Sequence, residues 1–182
     1  MIQPIPCASG YLLFSTKGGG PVPATHGGET LVYKTWRPLT GSPFPEKWFS
    51  LQKNKVMLAL VILRVHILQL LYWPRKKSCC ELYLAYHAGR LVHYCFLMPP
   101  FFRIPLMRPG DFEIGPYWTN PQYRGRGITT HTVGIIKAAH PDATLYILMR
   151  RDNEASIKVA EKTLLRSKPN ARGKIVFCLC NM

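Results

Sequence analysis

The sequence predicts a mixed α/β protein, in which helices pack on a sheet of strands. Strand-like and helix-like segments alternate through the second half of the chain, and Gly- and Pro-rich turns separate many of them. Hydrophobic residues make up 47% of the chain and charged residues 18%, which is typical of a globular protein and not of a disordered one. The length of 182 residues suits a single domain, 1–182.

The first half of the chain has an irregular pattern. Tyr11–Thr16 and Leu31–Trp36 are predicted as short strands on either side of a Gly- and Pro-rich loop, and a helix start is expected near Pro45. The apolar run Lys55–Trp73 predicts a helix. Arg64 near its centre favours burial in a protein core over a membrane span, because a charge inside a bilayer is costly.

The second half predicts strand, strand, strand, helix, strand, helix and strand. A short turn makes the first two strands a hairpin. Gly115-Pro116 inside the third strand indicates a bulge or a strand that splays from its neighbour. In chain order the elements are strands Cys79–Tyr86, Leu91–Met98 and Asp111–Trp118, a helix ending near His140, strand Ala143–Met149, helix Asp152–Leu165 and strand Lys174–Cys180.

Charge and cysteine content restrict the partners and the compartment. Lys and Arg number 24 against 9 Asp and Glu, and the net charge of +15 favours phosphates, nucleotides, nucleic acid or an anionic membrane. The six cysteines contain no C-x-x-C pair, so no metal site is expected. Buried free thiols and the absence of a secretory pattern in MIQPIPCASG predict a cytoplasmic protein.

The segment Arg124-Gly125-Arg126-Gly127 lies between a predicted strand and a predicted helix. Glycines let the backbone approach a ligand closely, and the first amides of a helix lack acceptors within it. The helix dipole and the two arginines add positive charge at the same place. This combination predicts a site for phosphate, and above all for a pyrophosphate.

These residues resemble a motif of the GNAT superfamily of acetyl-CoA-dependent N-acetyltransferases. The resemblance covers roughly 79–165. It implies a largely antiparallel central sheet with a splayed strand, flanking helices, and an R/Q-x-x-G-x-G/A loop that holds the pyrophosphate of coenzyme A. The motif falls on Arg124, Gly127 and Thr129, where Thr129 replaces the usual Gly or Ala. A second register, Gln122-x-x-Gly125-x-Gly127, also matches.

A second match follows the next strand. Asn153 and Ser156 resemble the N-x-x-S segment of the family, whose Asn bonds the pantetheine arm. From the residues alone, Asp152 and Asn153 predict a helix N-cap. Ala160 stands where many members have a Tyr that acts as a general acid. The resemblance implies acetyl-CoA as acetyl donor, bound by Trp118, Thr119, Arg124, Gly125, Arg126, Gly127, Ile128, Thr129, Asn153 and Ser156.

Acetyl transfer needs a proton acceptor for the amine and a donor to the developing oxyanion. Glu113 is the first candidate for the acceptor, as in several family members, and His93 and Tyr94 are alternatives. Both residues also have non-catalytic explanations: Glu113 could face solvent or pair with an Arg, and His93 could have a structural role. Tyr117 is a candidate neighbour of the thioester or a core residue.

We therefore expect an N-acetyltransferase that acts on a primary amine of a small molecule. Likeness to members encoded with bacterial surface-polysaccharide genes implies an amino sugar as one acceptor. The alternatives are a non-catalytic coenzyme A-binding protein, a basic nucleic-acid-binding module and a membrane-associated protein. We expect neither nucleic acid as a partner nor a membrane span. A homodimer stays open, because the chain ends after one predicted strand where the family often has two.

Overall fold

The structure of the protein is a computed structural model that describes residues 5–6, 11–22, 30–37, 63, 67, 80–99 and 107–164. These residues form a mixed α and β arrangement of seven strands, two α-helices and one short 3₁₀ turn. The strands are β1 (Ile5–Pro6), β2 (Tyr11–Lys17), β3 (Val32–Trp36), β4 (Glu81–His87), β5 (Arg90–Met98), β6 (Phe112–Thr119) and β7 (Thr144–Arg150). The helices are α1 (Ile128–Ala139) and α2 (Glu154–Leu164), and the 3₁₀ turn is Pro121–Tyr123.

The strands make one sheet in the order β1-β2-β7-β6-β5-β4-β3. Neighbouring strands are antiparallel except for β6 and β7, which are parallel because α1 connects them. The predicted mixed class is therefore confirmed, with a mostly antiparallel sheet. The predicted strands and helices of 79–165 are all present, with bounds that differ by one or two residues from those expected.

β6 leaves its parallel neighbour after two residues. Phe112 pairs with Leu145 and Glu113 pairs with Tyr146, and the ladder between β6 and β7 ends there. On its other side, β6 stays paired with β5 up to Thr119. From 114 to 119 the edge of β6 that faces β7 has no ladder partner among the described residues.

A bulge accompanies this divergence. Ile114 pairs with Leu97 and Tyr117 pairs with Cys95, so Gly115 and Pro116 together face a single residue of β5. Gly115 has φ +126°, a conformation that side-chain-bearing residues rarely adopt. The predicted irregularity at Gly115-Pro116 is confirmed as this bulge.

One face of the sheet packs against both helices. Side chains of β2, β5, β6 and β7 meet Val133 and Ile136 of α1 and Ala160 of α2 in a continuous apolar core. α1 presents Ile128, Thr132, Val133 and Ile136 inward, the spacing of one helix face. Ile157 and Ala160 of α2 pack in this core, whereas Ala155 is exposed.

The N-terminal strands extend the sheet beside β7. β2 pairs with β7 over seven residues, and Phe14 reaches the helix-side core. After β2, the Gly18 amide donates to the Ala143 carbonyl, and the Gly19 amide donates to the Lys137 carbonyl. The first part of the chain thus contributes both an interior strand and a connection to the end of α1.

Several expectations concern residues outside those described, among them the helix start near Pro45 and the strand Lys174–Cys180. Of 55–73 only Leu63 and Ile67 are described, and both are helical. Their side chains are 56% and 48% exposed, so the expected burial is wrong at these two positions. No helix within the described residues combines the length and the apolar character that a membrane crossing requires.

Candidate functional site

The glycine-containing loop leads directly into the open end of α1. Gly127 is the N-cap residue, with φ +75°, and no side chain caps the helix. The first helical hydrogen bond runs from the His131 amide to the Gly127 carbonyl. The amides of the preceding three residues, 128–130, therefore have no acceptor within the helix.

The loop and the first turn of α1 carry no acidic side chain that would compete with an anion for this helix end. The sequence contains no acidic residue between Glu113 and Asp142, and the first turn of α1 is free of acids. Gly125, with φ +79°, has open space where a Cβ would stand. The positive end of the helix dipole and the open backbone favour an anion here.

Both loop arginines hold the backbone of their own loop. Arg124 Nε donates to the Thr119 carbonyl at 3.3 Å, and Arg126 Nη2 donates to the Gln122 carbonyl at 3.0 Å. The Arg126 guanidinium also lies over the Tyr123 ring, 4.9 Å from its centroid. These bonds fix the shape of the loop and hold two positively charged guanidinium groups, each with five N–H donors, beside the helix end.

His93 is one of the predicted catalytic residues. Its side chain is completely buried between β6 and the start of α1. Burial lowers its pKa to about 3, against a smaller opposing effect of the Trp118 backbone carbonyl. The imidazole is therefore neutral at physiological pH and has no exposed surface through which to reach a substrate.

Tyr117 lies in the helix-side core, near the first turn of α2. Its hydroxyl is buried, with no hydrogen-bond partner within the described residues. Burial raises the pKa of Tyr117, and the nearby Ser156 side chain acts in the opposite direction. A neutral phenol suits a proton donor better than a base.

Glu113 lies on the other face of the sheet. It pairs with Met98 and Tyr146, whereas the next residue, Ile114, points into the helix-side core. Glu113 is buried. The structure thus does not bring the three predicted catalytic residues together: Tyr117 and His93 share one face of the sheet, and Glu113 is on the other.

The remaining predicted cofactor residues surround the divergence of β6 from β7. Trp118 stacks on Tyr94, with ring centroids 5.9 Å apart, on the face away from the helices. Asn153 is the N-cap of α2: its Oδ1 accepts the Ser156 amide at 3.2 Å and its carbonyl accepts the Ile157 amide. The N-cap prediction is confirmed.

The sequence did not predict the polar cluster at the opposite end of α1. Glu81 Oε1 accepts from Arg37, and Glu81 Oε2 accepts from Tyr83 at 2.7 Å and lies 3.2 Å from His140 Nε2. A buried Glu in the apolar strand CCELYLAY was the available signal. Tyr123, whose hydroxyl lies 2.9 Å from His87 Nδ1, was also missed.

Comparison with models of known protein families gives no match to this chain. Comparison with curated proteins gives none either.

Proposed function

We propose that the protein binds acetyl-CoA at the open end of α1 and transfers the acetyl group to a primary amine of a small molecule. The main support for this proposal is the loop that connects β6 to α1. There a loop with two positive-φ glycines and two arginines leads into a helix whose first amides are uncapped.

The divergence of β6 from β7 supports the same proposal. The strand edge from 114 to 119 carries no ladder partner on the β7 side and ends at the loop. A pantetheine arm is long, extended and able to bond backbone groups, so it suits a gap between two strands. The resemblance to the GNAT superfamily implies this placement.

Each group of the site has a distinct task in this proposal. Acetyl-CoA supplies an activated thioester. The amides of 128–130 and the two arginines hold the pyrophosphate, and backbone amides near Tyr117 and Trp118 donate to the developing oxyanion. Glu113 accepts the proton of the amine from the face away from the helices, and the Tyr117 hydroxyl donates to the departing thiolate.

The test is calorimetric titration of the purified protein with acetyl-CoA, with a Gly127→Glu variant beside it. We expect micromolar binding by the wild type and none by the variant, because a carboxylate at the N-cap repels the pyrophosphate and fills its space. Gly20→Glu is the matched control. Like Gly127, Gly20 has positive φ. It has open space where a Cβ would stand, and it follows Gly19, which bonds the other end of α1.

A folded wild type that fails to bind acetyl-CoA contradicts the proposal. If Gly20→Glu loses acetyl-CoA binding to the same extent, the effect of Gly127→Glu is caused by added charge or backbone strain and not by a blocked site. When binding is established, release of free thiol over a panel of amines that includes amino sugars tests the transfer step.

A non-catalytic coenzyme A-binding protein is the second candidate function. The separation of Glu113 from Tyr117 across the sheet and the burial of His93 favour it. This candidate is supported if the wild type binds acetyl-CoA, Gly127→Glu abolishes that binding, and no amine causes release of free thiol.

A further inference from the structure

Three side chains form a hydrogen-bonded series from the core to the first turn of α1. His93 Nδ1 lies 2.8 Å from Thr119 Oγ1, and Thr119 Oγ1 lies 3.2 Å from Thr129 Oγ1. The other imidazole nitrogen, Nε2 of His93, is buried without a partner among the described residues. The series joins β5, the end of β6 and the helix end proposed to bind pyrophosphate.

The direction of these hydrogen bonds follows from the tautomer of His93. A neutral imidazole carries one N–H, either on Nδ1 or on Nε2. With the proton on Nε2, a buried donor stays without an acceptor, which is costlier and rarer than an acceptor without a donor.

A proton on Nδ1 determines which group donates in each of the following hydrogen bonds. His93 Nδ1–H then donates to Thr119 Oγ1, and the Thr119 hydroxyl donates to Thr129 Oγ1. Since Thr129 accepts this bond, its own hydroxyl proton stays available at the first turn of α1. The opposite tautomer would make Thr129 the donor to Thr119 and turn only lone pairs toward an anion.

We infer that His93 is a positioning residue that, through Thr119, aims the Thr129 hydroxyl as a donor to an anionic phosphate oxygen at the end of α1. This inference rests on the proposed function. It assigns a role to Thr129 at the position where the resemblance implies Gly or Ala. With Gly or Ala at this position, only backbone amides would donate to the phosphate. The Thr129 hydroxyl adds one more hydrogen bond to a charged oxygen.

The tautomer is measurable without any ligand. Long-range ¹H–¹⁵N correlation spectra of the wild type at neutral pH, with His93→Phe for assignment, give the protonation state of each ring nitrogen. We expect a protonated Nδ1 and a bare Nε2 for His93. A protonated Nε2 overturns the inference, whatever the protein binds.

The binding consequence is tested by titration with inorganic pyrophosphate and with acetyl-CoA. Thr129→Val keeps the β-branched shape but removes the hydroxyl, and we expect about tenfold weaker binding of both probes. Thr129→Ser should restore most of the affinity. Thr132→Val is the control, because the Thr132 hydroxyl is buried and donates to the Ile128 carbonyl.

Thr119→Val breaks the series without touching Thr129, and we expect a loss of about threefold because the hydroxyl is no longer oriented. Wild-type affinity in Thr129→Val overturns the inference but leaves the proposed function in place when Gly127→Glu still abolishes binding. Failure of the wild type to bind either probe overturns both.

Discussion

Glu81→Gln is expected to destabilise the protein strongly near neutral pH and much less in acid. Burial alone raises the pKa of Glu81, but hydrogen bonds from His140 and Tyr83 and the charges of His140 and Arg37 bring it from 4.5 to about 2. At about 1.4 kcal/mol per pH unit, this shift corresponds to about 3 kcal/mol of stability at neutral pH. The Glu81 side chain is 7% exposed, so solvent screening of this contribution is small.

The sign follows from which state binds more protons. Between the folded pKa of about 2 and the unfolded value of 4.5, the unfolded chain is the more protonated state. The contribution is therefore complete above the unfolded pKa and is lost as the pH falls toward the folded pKa. About 2 kcal/mol of it should disappear between roughly pH 6 and pH 3.

Urea unfolding of wild type and Glu81→Gln at these two pH values measures the effect. Taking the difference between the proteins cancels the titration of all other groups. Asp152→Asn is the control: its 2.6 Å ion pair with Arg150 is about two-thirds exposed, so we expect a change below about 1 kcal/mol. A loss below about 1 kcal/mol in Glu81→Gln, or an equal loss at both pH values, would refute the argument.

Two predictions concern the proposed activity. Asn153→Ala removes the cap of α2 and should cost about 1 kcal/mol in urea unfolding, whereas Asn153→Asp keeps an N-cap acceptor and should unfold like wild type. Both variants lose the side-chain N–H₂ donor, so acetyl-CoA should bind more weakly to each, whereas inorganic pyrophosphate should bind as it does to wild type. If both variants keep the wild-type affinity for acetyl-CoA, Asn153 only caps the helix. Glu113→Gln should lower kcat for amine acetylation by about 100-fold at unchanged acetyl-CoA affinity. Retained kcat would exclude Glu113 as the base.

Local patterns predicted the elements of 79–165 because each of them carries its own signal. Short runs of apolar and aromatic residues mark β4 and β5, and the turn between them marks a hairpin. Gly115-Pro116 predicted the bulge in β6 because the pair interrupts a ladder in any protein. The glycines of the Arg124–Gly127 segment and the helical pattern after them predicted that a helix opens behind this loop, and the structure places its N-cap at Gly127.

Pairing between distant segments was not predictable in this way. The position of β2 beside β7 depends on which strand edge the rest of the sheet leaves available, and no local pattern records this. The burial of His93 depends equally on α1 covering the end of β5, so a polar residue in an apolar strand was read as catalytic. Glu81, Arg37 and His140 are far apart in sequence and meet only in the folded chain.

The two ends of α1 are built for different tasks. At its C-terminal end, His140 bonds Glu81, and the chain after β2 bonds the carbonyls of Lys137 and Ala143. At its N-terminal end, Gly127 leaves the first amides uncapped, and Thr129 is held by residues beneath the loop. In the proposed function, the contacts that stabilise the fold lie at one end of α1 and the anion site lies at the other, about 18 Å away along the helix. Glu81→Gln should therefore weaken folding without changing pyrophosphate affinity, whereas Thr129→Val should do the reverse.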